Sequence, residues 1–174
     1  MGFDLSRANT IQGWMNSDEL QWLYDTALEM DSILEIGAWC GKSTFALCSG
    51  CKGVVYSVDH FNGSPEHQKE MKKRVPIEEY RANMKDFANL ITIMADSVYA
   101  AAHLPIEVDM LFIDGAHEYE SVVADIAGWG ARAKKLVGGH DWSYGSVQKA
   151  VKETWPDETV KQHGGNIWYI RRGQ

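Results

Sequence analysis

Ile33-Leu34-Glu35-Ile36-Gly37-Ala38-Trp39-Cys40-Gly41-Lys42-Ser43-Thr44 reads as a buried strand, a tight glycine turn and the start of a helix. Ile33, Leu34 and Ile36 form the short apolar run of a strand covered on both faces. Gly37 and Gly41 let the backbone turn sharply and let a ligand come close to it. Ser43 and Thr44 are expected to help cap the helix that carries Phe45, Ala46 and Leu47. Such a strand, glycine-rich turn and helix form the nucleotide-binding corner of an α/β sheet.

Three ligands compete for this corner. A phosphate-binding loop needs four residues between its glycines, and only Ala38, Trp39 and Cys40 separate Gly37 from Gly41-Lys42-Ser43. A dinucleotide fingerprint needs a second glycine where Trp39 stands. S-adenosylmethionine carries an adenosine but no phosphate, and its cationic sulfonium and amino groups suit a carboxylate such as Glu35. The apolar strand ending at Asp114 also fits a nucleotide-hydrolysing site, so a P-loop-type phosphotransferase stays open, as does a non-catalytic adenosyl-ligand-binding module.

The rest of the chain alternates strands and helices. Ser17-Asp18-Glu19 opens a helix through Leu28, with Ser17 expected as its N-cap. Val54–Val58 is the second strand, and Asp59 ends it about twenty residues past the turn, where an acid grips ribose hydroxyls. Residues 61–77 are polar and Lys-rich and are expected to form a long loop or lid. A third strand ends near Asp96, which either faces adenine or caps a helix starting at Ser97. The fourth strand, Val108–Ile113, ends in Asp114-Gly115-Ala116-His117. The fifth leads into His140-Asp141-Trp142, and two further strands flank Gly164-Gly165. This order requires a mainly parallel sheet with helices on both faces and ligands at the carboxyl ends of the strands. Glu35, Asp59, Asp96, Asp114 and Asp141 all fall at those ends.

Length and composition set bounds. With 174 residues the chain is expected to form one domain, 1–174. The formal charge of −7 argues against broad nucleic-acid or membrane binding. No apolar run has membrane-spanning length and the N-terminus lacks a signal-peptide pattern, so a cytoplasmic protein is expected. The odd number of cysteines, Cys40, Cys48 and Cys51, fits a reducing compartment.

Four blocks carry a family resemblance: Glu35-Ile36-Gly37…Gly41-Lys42-Ser43-Thr44; Val58-Asp59-His60; Phe112-Ile113-Asp114-Gly115-Ala116-His117-Glu118-Tyr119; and Gly139-His140-Asp141-Trp142. Together they resemble class I S-adenosylmethionine-dependent methyltransferases. More narrowly, they are similar to small bacterial and phage-encoded members with Asp-Gly-x-His-x-Tyr and Gly-His-Asp blocks. The resemblance implies a Rossmann-like three-layer α/β/α sandwich whose seven-stranded, mainly parallel sheet has an antiparallel last strand. It implies a donor site built from Glu35, Gly37, Gly41, Ser43, Thr44, Asp59, His60, Asp96, Ser97 and Asp114. One departure is Ala133-Lys134-Lys135, which stands where a Gly-Gly turn before the fifth strand is common.

Transfer to a hydroxyl requires loss of its proton. A Mg²⁺ or Mn²⁺ ion held by Asp114, Asp141 and His140 could lower the hydroxyl pKa, an arrangement resembling catechol-type and macrolide-sugar O-methyltransferases. Alternatively, His117 or His140 is a metal-free base. The expected acceptor is a small-molecule or sugar hydroxyl, with Trp142 and Tyr144 as candidate walls of its pocket.

Overall fold

The computed structural model describes residues 2–63 and 76–173, so most of the expected lid over 61–77 lies outside the described residues. In chain order the elements are α1 (Leu5–Thr10), α2 (Ser17–Ala27), β1 (Ser32–Ile36), α3 (Lys42–Gly50), β2 (Val54–Val58) and α4 (Pro76–Met84). There follow β3 (Leu90–Ile93), α5 (Ser97–His103), β4 (Val108–Ile113), α6 (Tyr119–Trp129), β5 (Ala133–Gly139), α7 (Gly145–Thr154), β6 (Lys161–His163) and β7 (Ile167–Arg171).

The seven strands make one sheet in the order β3-β2-β1-β4-β5-β7-β6. The first five are parallel, while β7 runs antiparallel to both β5 and β6. The expected fold is therefore present. The order reverses between β1 and β4, whose carboxyl ends leave the crevice where ligands bind in open α/β sheets.

Side-chain alternation divides the core into two layers. On one face Ile33, Val55, Met110, Phe112 and Leu136 pack with Leu20 and Leu23 of α2 and with Phe45 and Leu47 of α3. On the other, Leu34, Ile36, Leu111, Ile113 and Val137 pack with Val122, Ile126 and Trp129 of α6 and with Val147, Ala150 and Val151 of α7. Strands covered on both faces explain the continuous apolar runs of β1 and β4.

Two helix starts differ from expectation. Asn16, not Ser17, caps α2: its side chain accepts from the amides of Asp18 and Glu19, and the Glu19 carboxylate accepts from the Asn16 amide, which closes a capping box. Gly41, in the left-handed region at φ +91°, occupies the cap position of α3 without any side-chain cap. Ser43 and Thr44 are drawn elsewhere, to Glu35. The short α1, capped by Asp4, carried no strong periodic signal. Ala133-Lys134-Lys135 is the first part of β5 rather than a turn, because the reversal is made earlier by a 3₁₀ turn over Gly130–Arg132.

Gly139 ends β5 beside Ile113 of β4. A Cβ there would lie 2.4 Å from the Ile113 carbonyl oxygen and 2.8 Å from Trp168 Nε1. The strand exits can converge only because that atom is missing. Gly139→Ala is expected to destabilise the chain by about 1–3 kcal/mol, the usual range for overpacking, as a lower urea midpoint at unchanged slope. An unchanged midpoint would show that the exits separate at no cost.

Candidate functional site

The glycine turn is held by a carboxylate. Asp59 Oδ2 accepts from the amides of Ala38 (2.8 Å) and Trp39 (2.9 Å), and its Oδ1 accepts from Phe61 N (2.6 Å). The Gly37 amide donates to Val58 O and the Gly41 amide to Ala38 O. The amides a phosphate cradle would offer at these four positions are therefore spent, and an anion already sits among them. That geometry disfavours the phosphotransferase alternative.

Gly37 has a positive φ of 87°, and a Cβ there would fall 2.2 Å from the Asp114 carbonyl oxygen. Only glycine allows this contact between the exits of β1 and β4. The Asp114 amide donates to Ile36 O at 2.7 Å and closes the same seam.

Glu35 is fully buried beneath the turn rather than facing a ligand. Its carboxylate accepts from Ser43 Oγ (2.5 Å), Thr44 Oγ1 (2.6 Å) and Ser57 Oγ (2.9 Å). Burial raises its pKa to about 7 against the pull of these three hydroxyls, with the Asp59 charge adding to the rise. Glu35 thus binds α3 and β2 to β1, a structural use of the pair Ser43 and Thr44.

A cavity of about 1020 Å³ opens at the carboxyl ends of the strands. Gly37, Ser43, Asp59, His60, Asp96, Ser97 and Asp114 line it, while Glu35, Gly41 and Thr44 do not. Asp96 caps α5 through the Tyr99 amide at 2.9 Å and also lines the cavity, so both readings of it are compatible. Ser97 donates to Asp125, a buried acid of α6 whose pKa burial raises to about 6. His60 accepts from the Asn62 amide at 3.0 Å.

Asp114, His117, His140 and Asp141 meet at the inner end of the cavity. His140 and Asp141 follow the end of β5, and their side chains turn to the same side, with His140 Nδ1 and Asp141 Oδ1 3.2 Å apart. The cause is the left-handed backbone of Asp141, φ +62°, a conformation Asp tolerates better than most residues. His140 Nδ1 is also 3.5 Å from Asp114 Oδ1, and His117 Nδ1 is 3.7 Å from Asp141 Oδ2. Ligand atoms of Asp114, His140 and Asp141 lie within 4.8 Å of one another. Two carboxylates and an imidazole at this spacing fit a divalent cation of the Mg²⁺ or Mn²⁺ kind.

Burial alone would push His140 towards neutrality, but Asp114, Asp141 and Glu19 outweigh it and raise its pKa. Asp114 is raised chiefly by burial, with the neighbouring acids adding to the effect. Asp141 is lowered: burial opposes this, but the hydrogen bond to His140, the charges of His140 and His117 and the hydrogen bond to Asn166 together outweigh it.

Some participants gave little sequence signal. Glu19 lies 3.4 Å from His140 Nε2, although its place in a capping box reads only as a helix start. Asn166, from the β6–β7 turn, reaches the same nitrogen at 3.3 Å. Trp14 lines the cavity at 56% exposure, whereas Ile11 is buried in the core. Tyr144 lines the cavity and stands against the His117 ring, with centroids 4.3 Å apart. Trp142 does not wall the cavity; it is buried in the core beside Trp168.

A family model described as a methyltransferase domain matches residues 34–142, from β1 through the His140-Asp141 exit. The chain belongs to this methyltransferase domain family. Solved structures share the fold at low identity. The O-methyltransferase NovP is 16% identical, with a TM-score of 0.75 over 91% of this chain and 81% of its own. Cofactor-bound Rv0187 from MTB is 16% identical, with a TM-score of 0.71 over 96% of this chain and 86% of its own. The SAH-bound methyltransferase PaMTH1 from Podospora anserina is 14% identical, with a TM-score of 0.71 over 98% of this chain and 86% of its own.

Glu35 generates a pH prediction. Its folded pKa of about 7 lies above the ordinary 4.5, so the folded state holds a proton that the unfolded state releases. This contribution to stability is complete below about pH 4.5 and is lost as pH rises through about 7, a swing on the order of 3 kcal/mol. Glu35→Gln should remove that decline. Urea unfolding of both proteins from pH 5 to 8 checks it: parallel pH profiles would refute the buried-proton assignment.

Proposed function

We propose that this chain transfers a methyl group from S-adenosylmethionine to a hydroxyl of a small molecule or sugar. In this reading residues 1–174 act as one donor-binding domain, with a divalent cation at Asp114, His140 and Asp141 assisting the acceptor. The observation that carries it is the charge of the cavity. Asp59, Asp96, Asp114, Glu118, Glu120, Asp125 and Asp141 line it against Lys42 and three histidines. Such a lining favours a cationic sulfonium and disfavours a polyphosphate.

Asp59 has one carboxylate lone-pair site left after its three backbone amides, enough for one ribose hydroxyl. Asp96 and Ser97 line the cavity just past β3, and in this reading they meet the base. The bound donor supplies an electrophilic methyl and its own leaving group, so the chain has to orient the acceptor oxygen and dispose of its proton. A cation bound by Asp114, His140 and Asp141 would lower the pKa of that hydroxyl. Without it, His117 is the candidate base: its ring lines the cavity with Asp141 beside Nδ1, whereas His140 is held from both sides, by Asp114 and Asp141 at Nδ1 and by Glu19 and Asn166 at Nε2.

Calorimetry with S-adenosylhomocysteine and with ATP tests the donor. Binding of the first and not the second is expected, and preference for ATP would overturn the reading. Asp59→Ala should weaken S-adenosylhomocysteine binding by roughly tenfold or more, from loss of charge-assisted bonds to ribose and turn. Full affinity in a folded variant would remove Asp59 from the donor site.

Labelled donor against a panel of phenols and sugars tests the acceptor, and no turnover across the panel would favour a purely binding module. Chelation should stop transfer while donor binding persists, and added Mg²⁺ or Mn²⁺ should restore it. Activity that survives chelation would sink the cation role, and His117→Ala would then be expected to slow transfer and abolish the acidic limb of the pH–rate profile, where a general base is lost to protonation.

A further inference from the structure

His140 has two ring nitrogens with different surroundings. Nδ1 faces Asp114 and Asp141, the proposed cation ligands. Nε2 faces the start of α2. There it meets Glu19 Oε1 at 3.4 Å, and both side chains are nearly inaccessible, at 5% and 3% exposure. Glu19 is not free to turn away. Its other oxygen accepts from the Asn16 amide at 2.9 Å, within the capping box that starts α2. A helix start, usually a local feature, is therefore welded to a histidine at the exit of β5.

A metal-binding imidazole must present a lone pair on one nitrogen, and the hydrogen bond made by the other nitrogen selects the tautomer. Two groups compete for Nε2. Glu19 needs a donor there, whereas the Asn166 amide nitrogen, 3.3 Å away, would prefer an acceptor. Charge decides between them: a buried carboxylate facing a nitrogen lone pair costs far more than a neutral amide hydrogen left without its best partner. The Asn166 amide is in any case anchored by its own oxygen, which accepts from Ser143 N at 3.0 Å.

We infer that Glu19 is a positioning residue that keeps the proton of His140 on Nε2 and so turns a bare Nδ1 to a divalent cation shared with Asp114 and Asp141. This rests on the cation reading above, but it assigns the work to a residue outside the family-matched segment 34–142. It also gives the N-terminal helices a second use beyond covering the sheet.

Glu19→Gln is the informative variant, because Gln retains an oxygen for the Asn16 amide and presents an NH₂ to Nε2. That group can only donate, so Nε2 becomes the acceptor and the proton moves to Nδ1, where a cation has to bind. Two measurements read this on the purified chain with S-adenosylhomocysteine present. Mn²⁺ titration should show an affinity about 10- to 100-fold lower than wild type, the usual cost of losing such a partner. Long-range ¹H–¹⁵N spectra of the Mg²⁺-loaded chain, with the His140 signals assigned by their loss in His140→Gln, should show a protonated Nε2 in the wild type and an unprotonated Nε2 in Glu19→Gln.

Asn16→Ala separates positioning from stability: it should lower the melting temperature while leaving Mn²⁺ affinity unchanged. The inference is overturned if Glu19→Gln keeps both the wild-type affinity and a protonated Nε2, or if Asn16→Ala loses as much affinity as Glu19→Gln. Should the wild type bind no Mn²⁺ at all, the cation reading falls and the role assigned here to Glu19 falls with it, whereas wild-type binding that Glu19→Gln leaves unchanged overturns the role of Glu19 alone.

Discussion

The contact between Gly37 and the Asp114 carbonyl sets the spacing on which the site depends. At 2.2 Å from where a Cβ would stand, it brings the exits of β1 and β4 closer than any other residue would permit. The sheet order reverses at this point, so the same contact forms the floor of the crevice. Asp59 then shapes the rim by collecting three amides from the turn and from its own strand exit. Glu35 anchors the assembly from below through three hydroxyls. Two carboxylates at neighbouring strand ends thus do opposite things: Glu35 faces inward and binds elements to each other, and Asp59 faces the cavity and holds a turn in the shape a ligand meets.

Much of the fold was legible because its strands are covered on both faces. Ile33, Leu34 and Ile36, and the run from Met110 to Ile113, stay apolar on consecutive residues since alternate ones face the two layers of helices. The position of Asp59 was legible for a similar reason, as the distance from turn to acid is imposed by one helix and one strand. What failed was side-chain direction. Glu35 sits beside the turn in sequence, yet strand alternation sends it towards α3 with Ser43 and Thr44. Trp142 follows His140-Asp141, yet the left-handed backbone at Asp141 reverses the chain and sends Trp142 into the core.

Glu19 was illegible for a different reason. Its local role, N3 of a capping box, fully accounts for an acid at that position, so nothing local hints at a second partner. The contact with His140 spans more than one hundred residues of chain and exists only because α2 starts beside the β6–β7 turn, where Asp18 meets His163 at 3.0 Å. Long-range side-chain pairs of this kind leave no periodic trace. They arise from the packing of elements whose existence, but not whose relative placement, can be read from residue patterns.

The acids at the strand exits also have an energetic consequence. Asp59, Asp96, Asp114 and Asp141 share one cavity, with Glu19 behind them, and every one of them repels the others when ionised. The fold tolerates this because each acid is given a donor or a cationic neighbour: backbone amides for Asp59 and Asp96, His140 for Asp114, Asp141 and Glu19. His140 is thus the charge on which three carboxylates depend, and its own raised pKa is the measure of that dependence. Any cation that enters the cavity relieves the same repulsion and binds the folded state alone, so it adds stability in proportion to its occupancy. A sulfonium donor and a divalent ion would both act in this sense. On the proposed reading, the electrostatic stress left by the chain's own residues is the physical basis for favouring cationic ligands, and the same stress would disfavour a polyphosphate despite the familiar-looking Gly41-Lys42-Ser43.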